Sequence, residues 1–479
     1  MRKPLALFAA AALLAACAPS NVTRTGEQAP IYPDYTDITI PSNIAPLNFK
    51  LKGSATRTIL CVDGRKFRSS RGGKLRFNEK AWRALMAESE GKTLEIKLLA
   101  RGKDGWREFA PFTWTVSADK IDPYLTYRLI EPDYEAYNNI VLQQRCIENF
   151  RTDDFSDNRV IGNKCMNCHT YANQDPATSM FYVRGPGGGA ILNMDGKLQK
   201  LSIKGEDMIS GSVYFGFSPS ARYIVFSANK IIPGYHAQSI RRMEVFDTRS
   251  DLYVADMKEH RFIRSSAISD PEMLETFPAF SPDGRYIYYC KAPQIDTVTL
   301  ENIETQKYSL CRVAFDESTG RIGDKVETIY DAYSEGKSVC HPRVSPDGRF
   351  VCISIADYGT FPLWHREADL LMINLETGER IPMTAANSDG SESYHSWSSN
   401  SRWLVFASKR DDGVYGKPYF CHVGEDGTCS KSFVLPQKHT EYYDNLLKSF
   451  NAPELGKGPL PFTSFDVKEI LDSEPTPFN

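Results

Sequence analysis

Over residues 187–479 the apolar and polar positions recur as one unit: an aromatic or aliphatic residue, a Ser-Pro-Asp-Gly-Arg turn, then a run of apolar strand formers. The unit reads Phe217-Ser218-Pro219-Ser220-Ala221-Arg222 before Tyr223-Ile224-Val225-Phe226, and Phe280-Ser281-Pro282-Asp283-Gly284-Arg285 before Tyr286-Ile287-Tyr288-Tyr289. It returns as Val344-Ser345-Pro346-Asp347-Gly348-Arg349 before Phe350-Val351-Cys352-Ile353, and as Trp397-Ser398-Ser399-Asn400-Ser401-Arg402 before Trp403-Leu404-Val405-Phe406. The starts lie 63, 64 and 53 residues apart. Proline presets φ for a turn and glycine beside it supplies a positive φ, which is hairpin chemistry. A second apolar strand pair follows each unit, at 251–257, 308–315, 369–375 and 419–423. Four strands per repeat make a propeller blade. A blade cannot bury its faces alone, so the repeats must close into a ring. Residues 189–203, with Asp195-Gly196 at their turn, predict one further hairpin, which a strand near 462–467 would complete. Five or six blades are expected.

Upstream the pattern changes. Short alternating runs at 38–40, 47–51, 58–62, 94–100 and 112–116, separated by Gly and Asp turns, predict a β-sandwich of immunoglobulin-like size over 36–130. Residues 78–88 predict one inserted helix with Asn78 as its N-cap. Over 134–150 the apolar positions Tyr137, Ile140, Val141 and Ile147 have helical spacing, so 131–186 reads as a short helical linker. Residues 18–35 are polar, carry Pro30 and Pro33, and read as a tether. The expected fold class is therefore all-β: a C-terminal β-propeller over 187–479, an N-terminal β-sandwich and a short helical segment between them.

The linker carries the most specific chemistry. Cys165-Met166-Asn167-Cys168-His169 has the Cys-x-x-Cys-His spacing of c-type haem attachment. Two thiols two residues apart can each add to one vinyl group, and the adjacent His supplies the proximal bond to iron. One covalent haem c is expected, held by Cys165 and Cys168 with His169 as ligand; no second such motif occurs in the chain. For the sixth position the candidates are Met180, 11 residues after His169, and His236 in a loop after a strand. Either stands against a blander fate, a core gap-filler for Met180 and a solvated loop residue for His236. Arg184 can pair with a haem propionate. His341 and His395 fall near the starts of innermost strands and read as satisfied polar residues near the channel.

Residues 1–17 read as a lipoprotein signal: Arg2 and Lys3, a short apolar core, and the lipobox Leu14-Ala15-Ala16-Cys17. Cys17 would carry the lipid and anchor the chain to a membrane. Ala18 and Pro19 follow it, so an obvious inner-membrane retention signal is missing, and the expected location is periplasm-facing on the outer membrane. Export also suits covalent haem attachment. Composition, with 41% hydrophobic and 24% charged residues, is ordinary for a globular protein, and a net charge of −3 gives no reason to expect a nucleic-acid partner. Setting aside Cys17, Cys165 and Cys168 leaves eight cysteines, for which Cys421/Cys429, Cys290/Cys311 and Cys340/Cys352 are candidate pairs and buried free thiols an equal alternative.

The Ser-Pro-Asp-Gly-Arg repeats resemble those of TolB-type propellers. From the haem motif onward the chain resembles a group of Bacteroidetes-type lipoproteins that join a Cys-x-x-Cys-His segment to such a propeller, loosely named cytochrome c biosynthesis or TolB-like proteins. The likeness rests on Cys168-His169, Met180-Phe181-Tyr182-Val183-Arg184-Gly185, Asn229-Lys230 with His236, Ser250-Asp251-Leu252 and Tyr394-His395-Ser396-Trp397-Ser398. It implies an exported haem-bearing propeller and no particular reaction. It also implies a His where this chain has Tyr182, which makes that position a poor candidate for iron ligation. Three functions compete. The leading one is a membrane-anchored monohaem cytochrome that passes electrons between periplasmic redox partners, with the propeller as docking platform. The alternative is a TolB-like protein-binding or assembly lipoprotein with a structural haem. A haem enzyme would need an open sixth position, and no recognisable catalytic set points to one.

Overall fold

The computed structural model describes residues 19, 21–132, 139–237, 242–299 and 302–478, apart from the side chain of Cys168. They form two compact units. Cys17 lies outside the described residues. Among those described, no helix is long and apolar enough to cross a membrane.

The first unit comprises Met1–Lys120, Glu148–Phe150 and Lys431–Leu446. A seven-stranded sheet is built on Thr93–Gly102, which pairs with Arg57–Val62 on one side and with Gly105–Glu108 and Phe112–Ser117 on the other. A smaller three-stranded sheet joins Ile31–Tyr32, Phe49–Leu51 and Lys74–Leu75. The expected helix forms at Glu79–Glu88, and the Asn78 side chain accepts from the Ala81 amide at 3.1 Å as its N-cap. Its buried Trp82 meets Trp114 of the larger sheet edge to face, and each indole N–H finds a backbone carbonyl, at Ile44 and Tyr35.

The second unit comprises Ile121–Ile147, Arg151–Ser430 and Leu447–Asn479. It is a six-bladed propeller. Blade 1 runs from Ser449–Gly456 at the hub through Tyr124–Ile130 and Val141–Cys146 to Thr152–Asp157. Blade 2 is Met166–Ala172, Asp175–Val183, Gly189–Met194 and Lys197–Ser202, extended by Thr476–Pro477 in parallel. Blades 3, 4 and 5 start at the hub with Ser212–Phe217, Met273–Phe280 and Ser338–Val344. Blade 6 holds Glu392–Trp397, Trp403–Ser408 and Lys417–His422. The six hub strands pack one against the next around the ring.

The repeat turn explains itself at atomic scale. In blade 4 the Ser281 hydroxyl accepts from the Tyr286 amide and donates to Asp283, and Asp283 accepts from the Arg285 amide. Gly284 stands at φ +70°. Blade 5 repeats this set with Ser345, Asp347, Gly348 and Phe350.

Three expectations are corrected, and the first is the tether over 18–35, where Val22–Arg24 and Ile31–Tyr32 are strands of the first unit's two sheets. Among the described residues of 131–186 there is no helix: Val141–Cys146 and Thr152–Asp157 are outer strands of blade 1, and the Cys-x-x-Cys-His motif opens the innermost strand of blade 2. Ile140 and Leu142 are fully buried on one face and Val141 on the other, and a run apolar on both faces mimics helical spacing; Tyr134 and Tyr137 lie outside the described residues. The ring is not closed near 462–467, where Ser464–Leu471 is a helix started by a capping box between Thr463 and Asp466. Closure comes from Ser449–Gly456, and the 189–203 hairpin instead supplies the outer strands of blade 2. Of the two alternatives for the cysteines, free thiols hold for the three candidate pairs, whereas Cys61 is disulfide-bonded. Cys290 pairs in register with Leu310 and Cys311 with Tyr289, so the two thiols point to opposite faces of their blade. Cys421 and Cys429 are neighbours across a hairpin, their thiols hydrogen-bonded.

Candidate functional hub cavity

Each hub strand breaks register at the same place. Two residues bulge between Asn167 and Thr170, Val213 and Gly216, Thr276 and Ala279, Cys340 and Arg343, and Ser393 and Ser396. Blade 1 shifts register opposite Asn451 and Glu454. The first bulged residue takes a left-handed φ at Tyr214, Phe277, His341, Tyr394 and Ala452. A bulge re-aims its side chains, and here it turns them toward the axis. Tyr214, Phe277, His341 and Tyr394 stack in sequence around the hub, with ring centroids 4.3, 4.2 and 4.3 Å apart. Cys168 holds the corresponding register position in blade 2.

This girdle walls a cavity of about 1300 Å³ with its open mouth included. Cys165, Asn167 and His169 line it from blade 2. Arg128, Arg184 and Arg343 line it as well. With its oxygen turned toward Arg184, the Asn167 amide accepts from Nη2 at 2.8 Å and Nε at 2.9 Å. His169 is 8% exposed, and its Nε2 has no hydrogen-bond partner. Burial pushes its pKa down to about 3, the Arg128 guanidinium adds to this, and hydrogen bonding to the backbone of Thr126 and Ala452 opposes it. The imidazole is therefore neutral, held by the backbone, with a bare nitrogen. That is the state of a metal-ligating His.

The other predicted ligands are not brought here. Met180 sits opposite Thr170 in blade 2 and is buried in an apolar cluster with Leu192, Leu201 and Phe226. His236 lies beside Glu244, 3.7 Å from its carboxylate, and is not among the lining residues. Arg184 does line the cavity. His395 meets the expectation in part: Nε2 meets the Cys352 carbonyl at 2.8 Å, whereas Nδ1 has no partner. His341 departs from expectation, since neither ring nitrogen has a partner. Among the described residues no three His, Cys, Asp or Glu side chains gather as a metal site.

Part of the cavity wall comes from a long hairpin. The middle strands of blade 3, Tyr223–Tyr235 and Met243–Asp256, run beyond their neighbours and bring Ile231, Met243 and Val245 to the cavity. Buried Glu244 pins this hairpin to blade 5: it accepts from Tyr358 at 2.9 Å and meets His365 Nε2 at 2.9 Å, while His365 Nδ1 meets Glu367 at 3.0 Å. Although burial opposes it, the two carboxylates hold the His365 pKa up to about 9.

No family model matches the chain, and no curated protein matches it. Among solved structures it is similar in fold to TolB from Acinetobacter baumannii, at 12% identity, covering 79% of this chain and 85% of that one, with a TM-score of 0.43. A hypothetical selenium-binding protein from Sulfolobus tokodaii gives 8% identity, coverage of 85% and 94%, and a TM-score of 0.41. Prolyl oligopeptidase B from Galerina marginata gives 13% identity and a TM-score of 0.37, with 71% of this chain spanning 43% of that one.

Proposed function

We propose that the hub cavity holds one haem c, attached through Cys165 and Cys168 with His169 on the iron, and that the protein is a lipid-anchored electron carrier of the periplasm. The observation that carries this reading is the buried, neutral His169, whose partnerless Nε2 belongs to a residue lining the same cavity as Cys165. The residues present fit the group in two further respects. The counterparts of Cys168 in the other blades, Tyr214, Phe277, His341, Tyr394 and Ala452, all line the cavity. Arg128, Arg184 and Arg343 offer guanidinium groups to two propionates. Attachment needs no oxidant, because each thiol adds its S–H across a vinyl double bond. The bound group would supply a one-electron couple, and the protein's part is to fix it in a largely apolar, arginine-ringed hub. Cys17 would carry the acyl chains, placing the propeller at the periplasmic face of the outer membrane as a docking platform for redox partners.

The test is expression of the chain with its signal alongside c-type haem maturation, followed by pyridine haemochrome quantitation. One covalent haem per chain is expected, lost in Cys165→Ala/Cys168→Ala. A purified protein without covalent haem defeats the reading. A covalent haem that cannot be cycled by mild reductants and oxidants favours instead a binding or assembly lipoprotein in which the haem is structural.

A further inference from the structure

The predicted sixth ligands are held elsewhere, Met180 in an apolar cluster and His236 against Glu244. The cavity offers another imidazole. We propose that His341 would be the second residue to hold the iron, from the hub cavity that it lines together with His169; the proposal rests on the haem reading above.

Three observations carry it. The first is placement. His169 belongs to the bulge of blade 2 and His341 to the bulge of blade 5, and in a six-bladed ring these blades stand three steps apart in either direction. The two side chains therefore enter the same cavity from opposite walls. The second is chemistry. His341 is 8% exposed with both ring nitrogens partnerless, although a buried imidazole without hydrogen bonds is costly. The third is rigidity. The His341 ring is clamped between Phe277 at 4.2 Å and Tyr394 at 4.3 Å, so a ligand here is positioned before anything binds. Three blades supply uncharged aromatics at this register position, Phe277 and the phenols Tyr214 and Tyr394. Packing alone does not call for an imidazole.

The test is His341→Phe, which reproduces the residue of blade 4 and keeps the aromatic girdle. Haem attachment and iron ligation are read separately. Pyridine haemochrome should give one covalent haem in wild type and variant alike. Ferric absorption and EPR spectra should be low-spin in the wild type and high-spin in the variant, with added imidazole returning the variant to low spin. A wild type that is high-spin, or a variant that stays low-spin without added imidazole, overturns the assignment while leaving the haem reading intact. A wild type without covalent haem overturns both.

Discussion

At the scale of single residues, the turn after the hub strand in blades 3 to 6 needs one left-handed residue, and the blades fill it differently. Glycine does so in blades 4 and 5, at Gly284 and Gly348, whereas blade 3 uses Ala221 at φ +58° and blade 6 uses Ser401 at φ +61°. A Cβ in this conformation costs roughly 1 kcal/mol or more, partly offset by the greater unfolded-state freedom of glycine. Ser401 has compensation, because its hydroxyl accepts from the Asp347 amide at 2.9 Å. No side-chain hydrogen bond can compensate Ala221. Ala221→Gly should therefore raise the unfolding free energy by about 0.5–1 kcal/mol, measured by denaturant unfolding, and Ser401→Gly should not. Equal gains at both positions would contradict this account of the turn. The same local chemistry bears on the candidate site. Tyr214, Phe277, His341 and Tyr394 each stand four residues before the serine of their repeat, so the girdle position was legible once the repeat was found. Its direction was not, because a strand without a bulge would have sent alternate residues elsewhere.

At the scale of elements, the long blade 3 hairpin is held by a buried charge cluster as well as by its own pairing. Its outer residues are exposed and apolar, with Ile231 48%, Ile232 47% and Tyr235 53% accessible. What fixes it is Glu244 against Tyr358 and His365, with Phe246 packed on Ile303 and Tyr358. The folded pKa of His365, about 9, lies above its ordinary value of 6.5. Its stabilisation is therefore fully present below about pH 6.5 and is lost as pH rises through about 9. Glu367, held down to about 2, contributes at neutral pH and fails only in acid. His365→Gln should lower stability at about pH 6 by a few kcal/mol. The gap to the wild type should close toward about pH 10, followed as thermal midpoints across that range; a gap independent of pH would show that His365 is not charged. None of this cluster was legible in the sequence. Glu244, Tyr358 and His365 belong to an insertion and a loop without periodicity, and only the fold brings them together. The segment 131–186 departs from its helical expectation for a related reason. Strands buried on both faces carry no period-two signal, so 131–186 lacked the alternation that marked 94–100 or 112–116 correctly as strands.

At the scale of the whole propeller, closure decides how the unit unfolds. Blade 1 takes three strands from 124–157 and its hub strand from Ser449–Gly456, so the ring is completed by backbone pairing such as Thr126 with Glu454. An open stack of repeats loses stability locally when one contact is cut, because each repeat touches only its neighbours. A closed ring couples every blade to that single seam. Phe450 is the seam's largest apolar residue, fully buried, with its ring 4.6 Å from Tyr127 of the strand it pairs with. Phe450→Ala removes that packing and should cost about 3–5 kcal/mol. The equivalent deletion within one blade, Phe226→Ala in blade 3, removes a side chain as deeply buried and carries a similar local cost. The two differ in which blades feel the loss. Hydrogen exchange at the backbone amides should quicken around the whole ring in Phe450→Ala, and mainly in blade 3 and its neighbours in Phe226→Ala. Exchange confined to blade 1 and its neighbours in the seam variant would mean that the blades stand without closure. If the seam governs the ring in this way, it also governs the cavity, because the girdle residues of blades 3 to 6 hold their places only while the circle is complete.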